Sequence, residues 1–402
     1  MRKEIDPCNL ELFERRVARH GQCSARYMIA LQAGNPETIP MFVADTDFVA
    51  APAIREAILE AAEYGIYGYT ALPDGYYEAV CGWQERRHNW KPNPDFVLET
   101  PTVLCGLSLA VDTLTEPGDA VIITEPVYAP FSMITNRLGR QLIRNQLFLK
   151  DRRWQIDFDT FEQQIIDNNV KAFILCNPHN PVGRVWTIDE LRQIGAICAR
   201  HGVYIISDEI HSDIIYSGYQ QHSFLSVCSE LAHQAVVLHA PSKAFNIPDM
   251  KQSHMFILDT ELHDRIRAVY EKRCISGASL IGRRACIAAF TQCDDWLDDM
   301  NLYLEGNRDF VIDYCRTHLP QVPICHAEGT FILWPDFNAL ASEVGIAPAG
   351  VNNWLLKEAN IYLSDGADFG VEATGYQRMV IGTQRSVVEE ALSRITAAVA
   401  GA

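Results

Sequence analysis

No Cys-x-x-Cys pair occurs anywhere in the 402 residues, although twelve cysteines are present. Their gaps are irregular. That excludes a zinc ribbon or a readable disulfide framework, and no metal site is expected. Cysteines scattered through a chain this long are expected as small core residues in a reducing cytoplasm. Positive charge is also scarce, with 34 Lys and Arg against 51 Asp and Glu, a formal net charge of −17. Such a chain lacks the basic surface that displaces counterions from nucleic acid. It offers no basic patch to an anionic membrane either. No uninterrupted apolar run approaches the ~20 residues of a membrane span. The N-terminal "MRKEIDPCNLELFERR" has no apolar h-region, so it does not read as a signal peptide. Internal repeats and low-complexity tracts are missing too.

Almost half of the residues are hydrophobic, enough for a large core. Short apolar runs stand at "DAVIIT" (119–124), "VKAFILC" (170–176), "VYIIS" (203–207), "AVVLH" (235–239) and "MFILD" (255–259). Several lack alternation, as strands buried on both faces do. Helical patterns lie between them. "TIDELRQIGAICARHG" opens with a capping box, Thr187 with Glu190, and closes at His201 and Gly202. "APAIREAILEAAEYG" has Pro52 in its first turn and Gly65 as its stop. Such alternation predicts an α/β fold with a mostly parallel sheet and helices on both faces.

The C-terminal third changes character. "IGRRACIAAFTQCDDWLDDMNLYLEGNRDFVIDYCRTHLP" predicts one or two long helices ending before Pro320, with Trp296 and Met300 in the core. Beyond it come "TFILWPDF" (330–337), a helix near 349–359, "QRMVIGT" (377–383) and a terminal helix, a smaller α+β unit. The expected division is an arm over 1–49 that belongs partly to the small domain, a large domain over 50–285 and a small domain over 286–402. The arm is expected to pack on the C-terminal unit or to reach a neighbouring subunit.

Sites in open parallel sheets form at the carboxyl ends of the strands. Here those ends deliver "EPVYAPF" (125–131), "NPHNPVGR" (177–184), "DEIH" (208–211) and "PSK" (241–243). An acid, an amide, a lysine and a tyrosine thus meet at one rim. A lysine amine condenses with carbonyls, and pyridoxal phosphate is the cofactor that uses one. It also needs an acid beside its ring nitrogen. Lys243 and Asp208 suit those parts. Asn180 can donate to the ring's phenolic oxygen, Tyr128 can stack on one ring face, and Ile210 can pack on the other. "TPTVLCGLSLAV" (100–111) reads as a turn opening a helix, whose first amides, those of Val103 and Leu104, suit a phosphate. Ser242 and Lys251 are further candidates. His211 either donates near the ring or satisfies a backbone carbonyl.

At this point the chain resembles the fold-type-I pyridoxal-phosphate enzymes of the class I/II aminotransferase superfamily, in the cystathionine β-lyase (C–S lyase) branch. The matching stretches are "IPMFVADTDF" (39–48), "YGIYGYT" (64–70), "EPVYAPF", "CNPHNPVGRVW" (176–186), "SDEIHSDIIYSG" (207–218), "APSKAFNIP" (240–248) and "EGTFILWPDF" (328–337). They follow the family order over nearly the whole chain. The resemblance implies that Lys243 carries the cofactor covalently and moves protons. It also implies that Asp208 pairs with the pyridine nitrogen, Asn180 with the phenolic oxygen, and Ser242 with the phosphate. Tyr69 is implied to reach the phosphate from the partner subunit of a homodimer, whose active site lies at the subunit interface. Arg378 is implied to fork the substrate carboxylate, with Arg385 its rival. The implied reaction is β-cleavage of cystathionine or a related cysteine S-conjugate to a thiol, pyruvate and ammonia. The alternative is an aminotransferase moving an amino group to a 2-oxo acid. Where the family usually has a small residue and Leu, this chain has Asp249 and Met250.

Overall fold

A computed structural model describes residues 4–402. The centre is a seven-stranded sheet of β1 (Val97–Thr100), β2 (Ala120–Glu125), β3 (Gln141–Gln146), β4 (Ala172–Cys176), β5 (Tyr204–Asp208), β6 (Ala235–His239) and β7 (Ser253–Phe256). Their spatial order is β1-β7-β6-β5-β4-β2-β3. β7 runs antiparallel to both of its neighbours, and every other pair is parallel. Four of the five apolar runs fall on strands, and the fifth, "MFILD", overlaps β7 at Met255 and Phe256. β2, β4 and β6 are buried along their whole length, which explains why their sequences do not alternate. Burying side chains such as Ile122, Phe173 and Val237 contributes roughly 1.5–3 kcal/mol each.

Helices cover both faces. They include α1 (Pro52–Glu63), α2 (Tyr76–His88), α3 (Val103–Leu114) and α4 (Ile188–His201). The capping box of α4 is present in both directions, and Gly202 ends the helix at φ +64°. The long C-terminal helical pattern is two helices, α5 (Leu280–Gln292) and α6 (Asp294–His318), which break at Cys293. Trp296 and Met300 of α6 are buried.

Beyond α6 lies a small antiparallel sheet of β8 (Ile332–Leu333), β9 (Ser364–Asp365) and β10 (Gln377–Val380), with β10 in the middle. The terminal helix α7 spans Arg385–Ala400. The N-terminal arm packs on this C-terminal part. Phe13 lies edge-on to Trp296 at 5.4 Å, and Asn9 donates to Asp299 at 2.8 Å. Ile39–Pro40 pairs in parallel with Ile361–Tyr362. The arm then crosses to the carboxyl ends of β5 and β6, which places it over the rim where the site forms.

Candidate active site

A cavity of about 220 Å³ opens at the carboxyl ends of β4, β5 and β6. Ten of the twelve residues singled out in the sequence line it, and Tyr69 and Arg378 do not. A larger cavity, about 400 Å³, lies elsewhere and holds none of the lysine, acid and amide set.

Lys243 stands four residues beyond β6. Its Nζ donates to the carbonyl of Ala44 at 2.6 Å. Burial pushes the amine down to about 8, and the positive charge of Arg378 adds to that, while Asp45 and Asp208 oppose it. Asp208 closes β5. Burial raises its carboxyl to about 7, with Glu209 adding, although the Ile210 amide at 3.1 Å and Lys243 oppose the shift. The two shifts bring a lysine and an acid into the range where either state is accessible near neutral pH.

Asn180 sits in the loop after β4. Gly183 turns that loop at φ +71°, and a Cβ there would meet the Ala327 Cβ at 2.6 Å, so only glycine fits. His179 Nε2 pairs with the Pro126 carbonyl at 2.9 Å, which ties the loop to the Tyr128 segment. Burial raises the Tyr128 hydroxyl, and Asp208 adds to the effect. Burial lowers His211 to about 3, with Lys243 and Arg378 pushing the same way, so its imidazole is neutral.

Thr102 caps α3 by accepting from the Cys105 amide at 3.1 Å. The amides of Val103 and Leu104 have no partner within the helix, and they face the cavity at its positive end. Ser242 and Lys251 line the same cavity.

Arg378 lies on β10, just off the cavity wall. Its guanidinium stacks over the Phe369 ring at 4.8 Å and donates to the Phe42 carbonyl. Burial lowers it to about 10, against the pull of Tyr128 and Asp368. The Nε is buried without a partner. Arg385 is engaged elsewhere, with Asn307 at 2.8 Å and the Phe310 ring. Tyr69 is fully exposed and does not reach the cavity of its own chain.

Sequence reasoning missed Ala44, Pro101, Thr102, Pro248 and Gln252 on the cavity wall. Cys176, at the end of β4, also lines the wall. Cys176 is fully buried and its thiol is pushed far up by burial, so it is inert. Gln252 follows Lys251, but only the fold shows its amide donating to Glu99 at 2.8 Å. Also missed was the grip on the arm beside Ala44. Arg19 holds Asp45 at 2.7 Å and Asp47 at 2.8 Å, and the fully buried Arg26 pairs with both acids.

The residues present fit pyridoxal phosphate. Three buried polar atoms of cavity-lining residues lack any protein partner: Asn180 Oδ1, His211 Nδ1 and Gln252 Oε1. A buried acid, an amine of lowered basicity and a helix N-terminus share the same cavity. Such a donor set suits a flat, polar, anionic guest.

Comparisons with known proteins agree with this arrangement. The profile for aminotransferase class I and II matches residues 29–395. The chain is 36% identical to cystathionine beta-lyase PatB of Bacillus subtilis (strain 168) over 387 residues, 96% of this chain and 99% of that one. It superimposes on cystalysin from Treponema denticola, whose crystal structure contains pyridoxal 5'-phosphate. The TM-score is 0.92 at 32% identity, over 97% of this chain and 98% of that one. The PLP-bound C–S lyase from Staphylococcus hominis matches with a TM-score of 0.91 at 28% identity, over 96% and 97%.

Proposed function

The chain belongs to the class I and II aminotransferase family, and from that premise we propose that it is a pyridoxal-phosphate-dependent C–S β-lyase. It cleaves cystathionine or a related cysteine S-conjugate, with water, to a thiol, pyruvate and ammonia. The observation that carries this reading is the shared cavity of Lys243, Asp208 and Asn180 in a chain whose full-length relatives include a cystathionine beta-lyase.

The cofactor's place follows from the donor set. Asp208 would hold the ring nitrogen, Asn180 and His211 would serve the phenolic oxygen, and Tyr128 and Ile210 would pack on the ring. Ser242, Lys251 and the amides of Val103 and Leu104 would hold the phosphate. Bound there, pyridoxal phosphate supplies a carbonyl carbon that condenses with amines and a ring that takes up negative charge.

The chain's own residues do the rest. Lys243 would anchor the cofactor, and its free Nζ would take the proton from the substrate α-carbon. The Ala44 carbonyl holds that freed amine in place. Arg378 grips the α-carboxylate with its fork, which turns the α-hydrogen toward Lys243. The β-sulfur leaves as a thiolate and picks up a proton. Water then converts the remaining three-carbon unit to pyruvate and ammonia.

The active unit is a cytoplasmic homodimer, with Tyr69 reaching the partner's phosphate site. Support comes from the exposed stretch Tyr64, Ile66, Tyr67 and Tyr69, too apolar to be left to solvent. The division into an arm (1–49), a large domain (50–285) and a small domain (286–402) belongs to the same reading.

The test is incubation with cystathionine in the absence of any 2-oxo acid. Pyruvate and free thiol appearing together support the lyase. Amino transfer to 2-oxoglutarate without pyruvate would establish the aminotransferase reading, which the same residues could serve.

A further inference from the structure

Glu125 closes β2 and takes no part in the proposed reaction. Its side chain is nevertheless buried, and it meets polar groups from two sides. On one side stands β3, whose Gln146 lies opposite Glu125 in the parallel ladder. Arg144 Nε donates to Glu125 Oε1 at 3.0 Å, and Gln146 Nε2 donates to Oε2 at 3.2 Å. Residues two apart on a strand share a face, so this polar edge strand turns both donors toward the carboxylate. On the other side lies the loop between β9 and β10. The Val371 amide donates to Oε2 at 3.3 Å. Gly370 passes so close that a Cβ there would lie 3.1 Å from the same oxygen. A backbone bond reinforces the contact, from the Val127 amide to the Phe369 carbonyl at 2.8 Å.

That loop carries the ring on which Arg378 rests. Ser364 of β9 pairs with Arg378 of β10, and the chain between the two strands returns through residues 366–376. The buried Phe369 packs edge-on against Trp334 at 5.4 Å and lies under the Arg378 guanidinium at 4.8 Å. The Phe42 carbonyl accepts from one nitrogen of the fork, and the Nε has no partner. A guanidinium over an aromatic face follows that face, because the attraction falls off with distance from the ring. The position of Phe369 therefore helps to set the position of the fork.

We infer that Glu125 is a positioning residue for recognition of the substrate carboxylate. It fastens the β9–β10 loop to the end of β2, and through Phe369 it fixes Arg378 beside the cavity that Lys243 lines. The inference rests on the function proposed above, and Glu125 itself does not touch the substrate. The same tie holds Tyr128, three residues after Glu125, at one spacing from the strand that carries Arg378. A carboxylate is needed because all of its neighbours donate. An amide in its place has one accepting and one donating arm, so either the loop or β3 loses a bond.

The test is a titration of the pyridoxal-phosphate-loaded protein, read from the initial change in its visible band. L-Alanine and ethylamine are the probes, because they differ by the carboxylate alone. No bond at the β-carbon is cleaved, so the result stands apart from the pyruvate assay and is the same for a lyase or an aminotransferase. In Glu125→Gln the affinity for L-alanine should fall roughly tenfold, while that for ethylamine stays within about twofold. Gly370→Ala presses on the same contact from the loop side and should show the same selective loss. In an Arg378→Lys background, Glu125→Gln should add less than about twofold, since its effect runs through the fork. Equal losses for the two probes, no loss in either variant, or a full tenfold loss added in that background overturns the inference, because packing alone does not distinguish the probes. A wild type that binds L-alanine no better than ethylamine overturns it together with the carboxylate clamp, whatever the pyruvate assay shows.

Discussion

Lys243 donates its amine to the carbonyl of Ala44 across a separation of 199 residues in the chain. That bond joins the N-terminal arm to the end of β6. Asn246 strengthens the junction, because its side chain pairs with the backbone of Thr46 in both directions, at 3.0 and 3.1 Å. Part of the site's wall is therefore built by a segment outside the large sheet.

The arm's grip depends on Arg26. Its side chain is buried between Asp45 and Asp47, and its removal leaves both acids to Arg19 alone. Arg26→Ala should lower stability by about 1.5–3 kcal/mol, the worth of hydrogen bonds to charged groups. Urea unfolding followed by circular dichroism checks this, and a loss below about 1 kcal/mol would mean that water reaches the acids freely.

Lys243→Ala should fold normally, since it deletes a charge that burial disfavours. Its lyase activity should fall by about three orders of magnitude or more, because both the covalent anchor and the proton carrier are lost. Pyruvate release and the visible spectrum of the loaded protein report the two losses separately.

Capture of pyridoxal phosphate by the cofactor-free protein should be unusually fast near neutral pH. The neutral amine is the nucleophile, and its fraction rises with pH through the folded-state pKa. With Lys243 lowered to about 8, roughly a quarter is neutral at about pH 7.5, against about one in a thousand for an ordinary lysine. Stopped-flow absorbance should show the rate climbing up to about pH 8 and then levelling. A rate still climbing tenfold per unit beyond about pH 9 would contradict the lowered value.

Arg378→Lys should keep the charge and lose the fork. Without paired donors the carboxylate is held less well, and kcat/KM should drop roughly 10- to 100-fold, mainly through KM. Steady-state kinetics with cystathionine measure it, and an unchanged KM would place carboxylate binding elsewhere.

Tyr69→Phe should leave the protomer's fold intact, since the side chain is fully exposed. If its hydroxyl serves the partner's phosphate, the variant should lose cofactor about tenfold more readily on dialysis, one hydrogen bond to a charged group being worth about 1.5 kcal/mol or more. Sedimentation should find the dimer in both proteins. A monomeric wild type would remove the cross-subunit role altogether.

The strands that build the site were legible because both of their faces are buried, so "AVVLH" and "KAFILC" are uninterrupted apolar runs. β3 was not. It is an edge strand whose sequence "QLIRNQ" is largely polar, and only Ile143 and Asn145 are buried. β1 is short, and its Glu99 is buried against Arg283, a pairing across 184 residues that no local pattern announces. Two helices were within the expectation, but the place of the break at Cys293 was not legible, because the helical pattern continues through it with Asp294 and Asp295 at the start of the next helix.

The sequence by itself determined which groups stand at the strand ends. Buried parallel strands are written as apolar runs, and whatever follows such a run emerges at one rim, so Lys243, Asp208, Asn180 and Tyr128 could be named from order alone. Their protonation states, and the company they keep, were decided by the tertiary structure. Burial and through-space charge bring Lys243 to about 8 and Asp208 to about 7. The Ala44 carbonyl and the Arg26 grip join separate segments of the chain. Distances of about 3 Å between such segments exist only after the chain has folded, which is why no local pattern carried them.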